Sequence, residues 1–196
     1  ALILEIFDFF FLIDYFSSAE KDTTQSDPWK VKAKKIILND CYLTYQDLKY
    51  IDVDHGIDWE DISLKKLNLE IEDLIPDGDT LHFDLRNISF IEKSGFKVNQ
   101  FSTHGRIQPG QMAFSNLKAK TDKSELNANV TFDFNSLDDF ENFISDVKWK
   151  GDFQKSKVDF YDLSFFAKEL MHINRHVDIQ GDFAGTVDRF KGKNVV

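Results

Sequence analysis

The chain has 196 residues, of which 42% are hydrophobic and 20 are Phe, and its formal net charge is −10. This composition is typical of a folded protein, because disordered chains are poor in aromatic residues. The acidic balance disfavours a nucleic-acid partner and polybasic docking on anionic lipid headgroups, since both need basic patches. A single cysteine, Cys41, excludes an internal disulfide and a cysteine-based metal cluster within this sequence.

Residues 1–18 form an apolar stretch that contains Glu5, Asp8 and Asp14. A short helix, or a strand followed by a helix, fits this pattern. The stretch is shorter than the roughly 20 residues that span a bilayer, and it lacks the basic region and cleavage site of a signal peptide. Residues 19–28 are polar and predict a linker. We expect the chain to be an internal piece of a longer protein, because it has no initiator Met.

Residues 29–196 predict one continuous β segment. Its first strand runs from Trp29 to Leu38, and Asn39-Asp40 predicts a turn into a return strand, Cys41–Tyr45. An acidic loop over residues 50–60 then leads into the main β region.

The stretch 62–134 predicts a ladder of antiparallel strands, because apolar and polar residues alternate in short runs that end at turn signals. One face of such a meander is apolar and the other is wet. The turns are predicted at 76–79, 94–95, 109–110 and 122–124. The alternating apolar residues include Leu67, Leu69, Ile71, Leu81, Phe83, Leu85, Ile88, Phe90, Phe96, Val98, Phe101, Met112, Phe114, Leu117, Ala119, Leu126, Ala128, Val130, Phe132 and Phe134.

Two short amphipathic helices interrupt the strands after Phe134. Ser136 is a suitable N-cap for the first, near 136–147, in which apolar residues recur at helical spacing. The second lies near 163–171. Strand alternation returns between them and again in a last strand, Val177–Val187.

The sequence offers little catalytic chemistry. His172 and His176 have the spacing of a helical zinc pair, but no Glu follows His172, and two surface histidines explain the pair better. The acids of residues 52–61 resemble a calcium loop that lacks its turn glycine, so a solvated loop is the better interpretation. Neither a nucleophile elbow nor a phosphate-binding glycine loop occurs. The sequence predicts a protein without enzymatic activity, cofactor or metal.

The apolar face of the meander carries more aromatic surface than two short helices can cover. The sheet can bury this face by closing into a sandwich or barrel. It can also stay open as a trough that holds apolar ligands such as acyl chains. The residues alone leave both possibilities open.

Several stretches, in matching order along the chain, resemble the TamB family of AsmA-like envelope proteins in its Bacteroidota form. The most specific is ISFIEKSGF at Ile88–Phe96. The others are FLIDYFSS at Phe11–Ser18, IILND at Ile36–Asp40, LTYQD at Leu43–Asp47, DISLKKLNL at Asp61–Leu69, and the stretches Leu117–Leu126, Asp162–Ala167 and Ile179–Val187.

The resemblance implies a mainly β fold: a long, curved antiparallel meander that forms an open, taco-like hydrophobic groove. It also implies a periplasmic location and an inner-membrane anchor in another part of a longer chain. A further implication is a BamA-like outer-membrane barrel partner, which other parts of that chain contact. The implied function is a bridge that conducts phospholipids between the two membranes and supports outer-membrane biogenesis. The alternative is a non-conducting spacer or protein-docking module with a closed β core.

On this hypothesis, phospholipid acyl chains lie along one parity of the central strands. The predicted groove-lining residues are Leu81, Phe83, Leu85, Phe101, Phe114, Leu126, Ala128, Val130, Phe132 and Phe134.

Overall fold

The structure is a computed structural model that describes residues 32–46, 54–59, 61–136, 139–140 and 143–195. The predictions for residues 1–18, for the linker 19–28 and for Trp29 lie outside the described residues. The strands are β1 (Ala33–Gln46), β2 (Asp61–Asp77), β3 (Thr80–Glu92), β4 (Lys97–Gln108), β5 (Gln111–Thr121), β6 (Glu125–Asp133), β7 (Lys148–Asp159), β8 (His176–Gly185) and β9 (Phe190–Lys193).

All of these strands belong to one nine-stranded antiparallel sheet, in which they follow one another in chain order. β1 and β9 are its two edges and do not pair with each other, so the described sheet is open. The prediction of a mainly β, open antiparallel meander with few and short helices is therefore confirmed. The alternation that predicted it is a local signal, and consecutive strands joined by tight turns pair with their chain neighbours.

The turns of the central meander form where the sequence predicts them. Gly95 and Gly110 have φ angles of +97° and +75°, which residues with a Cβ rarely adopt. The Gly95 N–H donates to the carbonyl of Glu92 at 2.9 Å, and the Phe134 N–H donates to the carbonyl of Gly110 at 3.0 Å. These glycines allow each strand to reverse within a few residues.

The predicted hairpin at Asn39-Asp40 is wrong, because β1 is a single strand that passes through these residues. Its register against β2 shifts between Leu38 and Cys41. Asp40 has a φ of +49°, and its N–H donates to Asn68 Oδ1 at 3.0 Å. The turn-like residue pair therefore makes a β-bulge, which also uses a left-handed residue but keeps the strand direction.

The helix predicted near 163–171 is shorter in the structure, and the helix predicted near 136–147 lies partly outside the described residues. The described residues include α1 (Phe143–Asp146), α2 (Phe160–Leu163) and a 3₁₀ turn (Lys168–Leu170). Asp159 caps α2 by accepting a hydrogen bond from the Tyr161 N–H at 2.9 Å. The sequence also missed β9, a four-residue strand that pairs with β8 from Asp182 to Gly185.

Register shifts form a row that crosses the sheet. Every strand pair from β1–β2 to β7–β8 has at least one such shift. One shift of each pair lies close to a shift of the next pair on the strand that they share: Leu38/Cys41, Glu70/Ile71, Leu85/Ile88, Ser102/His104, Phe114/Leu117, Glu125/Ala128 and Phe153/Ser156. We call this set the bulge row. Bulges bend a strand and increase its twist, so a row of them concentrates bending along a line across the strands.

Candidate functional site

The register of the sheet brings the apolar residues of successive strands onto one face. Phe83 lies opposite Gly105, Gly105 opposite Phe114, and Phe114 opposite Val130. Val130 in turn lies opposite Gly151 of β7. Directly paired residues point to the same side of a sheet, so this line runs along one face from β3 to β7. We call it the apolar face.

All ten residues predicted to line a groove belong to this face or to the aromatic cluster that continues it. Ala128 is 1% exposed and Leu81 is 9% exposed. The other eight are partly exposed. Phe134 follows the end of β6, where its ring meets that of Phe140 edge-on at 5.1 Å. Their predicted contact with lipid stays a prediction.

The apolar face extends beyond the predicted set in both directions. On the β1 side, Ile36 pairs with Ile71 and Leu38 with Leu69. On the β9 side, the rings of Trp149 and Phe190 meet at 5.8 Å. The same alternation marks these residues in the sequence, but only the register joins them to the central strands.

Aromatic rings on this face lie across glycines. A Cβ placed on Gly105 would come within 2.1 Å of the Phe83 ring, and one on Gly151 within 2.4 Å of the Phe153 ring. The rings of Phe83 and Phe153 therefore occupy the space that a side chain at Gly105 or Gly151 would fill.

The opposite face of the sheet carries polar side chains and several ion pairs. Glu72 Oε2 accepts a hydrogen bond from Arg86 at 2.7 Å, and Glu72 Oε1 lies 3.2 Å from Lys35 Nζ. Farther along the sheet, Lys150 Nζ lies 3.1 Å from Asp133 Oδ2. These side chains are partly exposed, so this face is hydrated. The sheet is therefore amphipathic in these regions.

Two aromatic clusters border the apolar face at opposite ends of its strands. At the α1 end, the Phe143 ring meets those of Phe132 at 5.8 Å and Phe140 at 5.9 Å. Val147, just after α1, is fully buried. The second cluster belongs to residues Phe160–Met171, a segment that we call the strap.

The strap lies over the far end of the face. The rings of Phe165 and Phe166 meet the Phe96 ring at 5.5 and 5.1 Å, and Phe96 is 9% exposed. The Ile57 N–H donates to the carbonyl of Phe165 at 2.9 Å. Residues 54–59, which precede β2, and the strap, which follows β7, therefore meet across the ends of the strands between them.

A buried carboxylate fastens the strap to the β5–β6 turn. Asp162 is 5% exposed, and its Oδ2 accepts hydrogen bonds from Thr121 Oγ1 at 2.6 Å and Ser124 Oγ at 2.5 Å. The Lys123 N–H donates to the same oxygen at 3.2 Å. A buried charge is tolerated where donors replace its water, so these donors fix the position of α2.

A second buried carboxylate, Glu92, organises the β3–β4 turn. It is 3% exposed and accepts hydrogen bonds from the Ser94 N–H at 2.6 Å and the Ser63 N–H at 3.2 Å. Burial alone would raise the pKa of this carboxyl, but the hydrogen bonds, chiefly those from Ser94, hold the pKa below its ordinary value of 4.5. Glu92 is therefore a structural anion beside the strap.

The described residues contain no group of three or more His, Cys, Asp or Glu placed to hold a metal ion. His172 and His176 are both exposed, the first after the 3₁₀ turn and the second at the start of β8. Within the same part of the chain, no helix has the length and apolar character needed to cross a bilayer.

No protein-family model, no curated protein and no solved structure matches the chain significantly.

Proposed function

We propose that this chain is a segment of a periplasm-spanning bridge that conducts phospholipids between the inner and outer membranes. The observation that carries the proposal is the apolar face, which runs across an open sheet and leaves most of its large side chains partly exposed. Exposed apolar patches of this extent mark interaction sites in soluble proteins. The order of the sequence stretches that resemble the TamB family is the second support.

Acyl chains suit this face energetically. Each methylene that leaves water contributes roughly 0.8 kcal/mol, without the need for a specific partner group. A face lined by rings and aliphatic side chains offers similar contacts at every step, so no single position holds the chain tightly. Weak and uniform binding allows movement along the face. The headgroups stay at the open side, in water.

The bulge row supports a curved face. Bulges aligned across neighbouring strands bend each strand at the same place, which folds the sheet about a line perpendicular to the strands. Such a fold makes a trough that passes from strand to strand. Lipid would then travel across the strands, along the line from Phe83 to Gly151.

The location and partners of the bridge follow from the resemblance. They are a periplasmic site, an inner-membrane anchor, and a BamA-like outer-membrane barrel contacted through other parts of a longer chain. A non-conducting spacer is the competing function. It is favoured by the strap and α1, which cover the face at both ends of the strands.

Site-specific photo-crosslinking in intact cells tests the proposal. A photoreactive residue at Phe132, on the apolar face, should capture phospholipid. The matched control is Thr131, which is also partly exposed but points to the polar face beside Lys150. Lipid adducts at Phe132 and none at Thr131 support conduction along the face. Equal labelling of both positions, or none at Phe132, would contradict it.

A further inference from the structure

The two halves of the strap are attached to the rest of the protein by contacts of different strength. Near α2, the buried carboxylate of Asp162 has donors from Thr121, Ser124 and Lys123. Charged hydrogen bonds of this kind are the strong ones, and they are costly to break when buried. This half is a fixed attachment.

The second half of the strap has weaker attachments. The ion pair between Lys168 Nζ and Asp54 Oδ2 is 3.8 Å long, with side chains 60% and 92% exposed. Exposed pairs contribute little to stability, because water screens them. The carbonyl of Phe165 accepts a hydrogen bond from Ile57, and Phe166 packs on Trp59 while 54% exposed. His55 Nε2 also lies 3.0 Å from the carbonyl oxygen of Ser164, and the His55 ring stacks on that of Phe165 at 6.4 Å. Apart from the exposed ion pair, these contacts are hydrogen bonds to backbone carbonyls and ring contacts.

The rings of this second half cover the end of the apolar face. Phe165 and Phe166 shield Phe96, which directly precedes β4 and lies two residues before Val98. Val98 pairs with Phe90 and is partly exposed. If an acyl chain replaced these two rings, apolar contacts would be exchanged for apolar contacts. Such an exchange has a small net free energy, because the ring surface that enters water is offset by the acyl surface that leaves it.

We propose that the strap is a gate, hinged at Asp162, that controls whether acyl chains reach the end of the apolar face beneath Phe165 and Phe166. The inference rests on the proposed function and names a point of control on the same face. In the closed state the rings occupy the position of the lipid. In the open state residues 165–171 swing away from residues 54–59, so that Phe96 becomes accessible and the neighbouring Val98 becomes more so.

A reversible lock is the direct test. The lock is built in a Cys41→Ser background. Two cysteines replace Trp59 and Phe166, whose ring centroids lie 6.3 Å apart. A short bifunctional thiol reagent then ties the strap to residues 54–59 in the full-length protein. Photoreactive residues at Val98, two residues from the covered Phe96, and at Phe132, at the other end of the strands, report lipid contact by phospholipid adducts.

We expect the lock to reduce the Val98 adduct roughly tenfold relative to the same protein without reagent, and to leave the Phe132 adduct unchanged. Equal Val98 adducts in locked and unlocked protein would overturn the gate while the Phe132 adduct upholds conduction. Absence of adducts at both positions in the unlocked protein would instead overturn the proposed function, and the gate with it.

A second variant opens the gate without a reagent. A Cβ on Gly56 would lie 2.3 Å from the carbonyl oxygen of Phe165, so Gly56→Ala should push the strap away. Gly78→Ala is the matched control, since Gly78 also has a positive φ, +57°, but nothing lies within 4 Å of its Cβ position. We expect Gly56→Ala to raise the Val98 adduct roughly fivefold and Gly78→Ala to leave it unchanged. No difference between the two variants would contradict a gate.

Discussion

Single residues determine which side chains cover the backbone on the apolar face. Gly105 illustrates this, because its missing side chain is the space that the Phe83 ring occupies. A sequence alone does not distinguish such a glycine from one that serves a turn. The cross-strand pairing of Phe83 with Gly105 makes the distinction.

We expect Gly105→Ala to destabilise the sheet by about 1–3 kcal/mol, because the added methyl group collides with a ring that must leave its position. The collision distance is 2.1 Å. Combining it with Phe83→Leu should recover part of that loss, since the smaller side chain vacates the space. Urea unfolding of the two single variants and the double variant measures the coupling. Additive effects would show that Phe83 does not rest on Gly105.

The ionisation of Glu92 makes the free energy of unfolding depend on pH. Its folded-state pKa lies below the ordinary value of 4.5, so the carboxylate stabilises the fold above that pH. As the pH falls through the lower folded-state pKa, the carboxylate takes up a proton and this contribution is lost. We expect the free energy of unfolding to fall below about pH 4.5, and to fall less steeply in Glu92→Gln. Glu169→Gln, at an exposed position, is the control and should follow the wild-type curve.

At the scale of elements, the sequence predicts the strands better than their irregularities. Alternation located the central strands and their turns, since period-two burial leaves a direct record in the residue types. The bulges also leave a record, because apolar residues step by three where the register shifts. Leu85 to Ile88 and Phe114 to Leu117 are examples. At Asn39-Asp40 the sequence predicts a turn where a bulge forms, since both structures favour the same residue types.

The bulge row predicts a specific sensitivity at Asn116. This residue has a φ of +52°, and its N–H donates to Asn129 Oδ1 at 2.9 Å. Asn tolerates the left-handed region, whereas a β-branched residue is strained there. We expect Asn116→Val to lower the free energy of unfolding by about 1–2 kcal/mol. Lys118→Val, an exposed substitution on the same strand, is the control and should leave the free energy of unfolding nearly unchanged. An equal loss in both variants would show that the effect does not come from the bulge.

The path of the strap could not be predicted from the sequence, for another reason. Its apolar spacing near 163–171 predicted a helix, but the chain forms only α2 and a 3₁₀ turn. Contacts with Phe96 and with residues 54–59 fix its path, and these contacts join parts of the chain far apart in sequence. Tertiary contacts of this kind override local propensity in short segments.

At the scale of the whole molecule, the two edges of the sheet carry lysines. β1 has Lys34 and Lys35, and β9 has Lys191 and Lys193. Lysines and short strands at an edge discourage pairing with other chains. The sequence predicts this for the first edge only, because its alternation makes β8 the last strand and gives no sign of β9.

Conduction and a spacer role differ in the effect of a charge on the face. Phe132 is partly exposed, so Phe132→Asp should leave the carboxylate in contact with water and the fold intact. We expect the variant to keep its circular-dichroism spectrum and to lose delivery of labelled phospholipid to the outer membrane. Thr131→Asp, on the polar face, should keep both. Unfolding of Phe132→Asp would favour the spacer, since a dry core cannot hold an unpaired charge.

The bulge row makes the length of the face independent of its cross-section. Each strand pair from β1–β2 to β7–β8 contains a shift, so a hairpin with its own shifts, inserted among these strands, would extend the sheet by about 10 Å and keep its profile. Nine strands cover about 38 Å at the usual spacing. Hairpin duplication is therefore a route by which such a chain can be matched to compartments of different width.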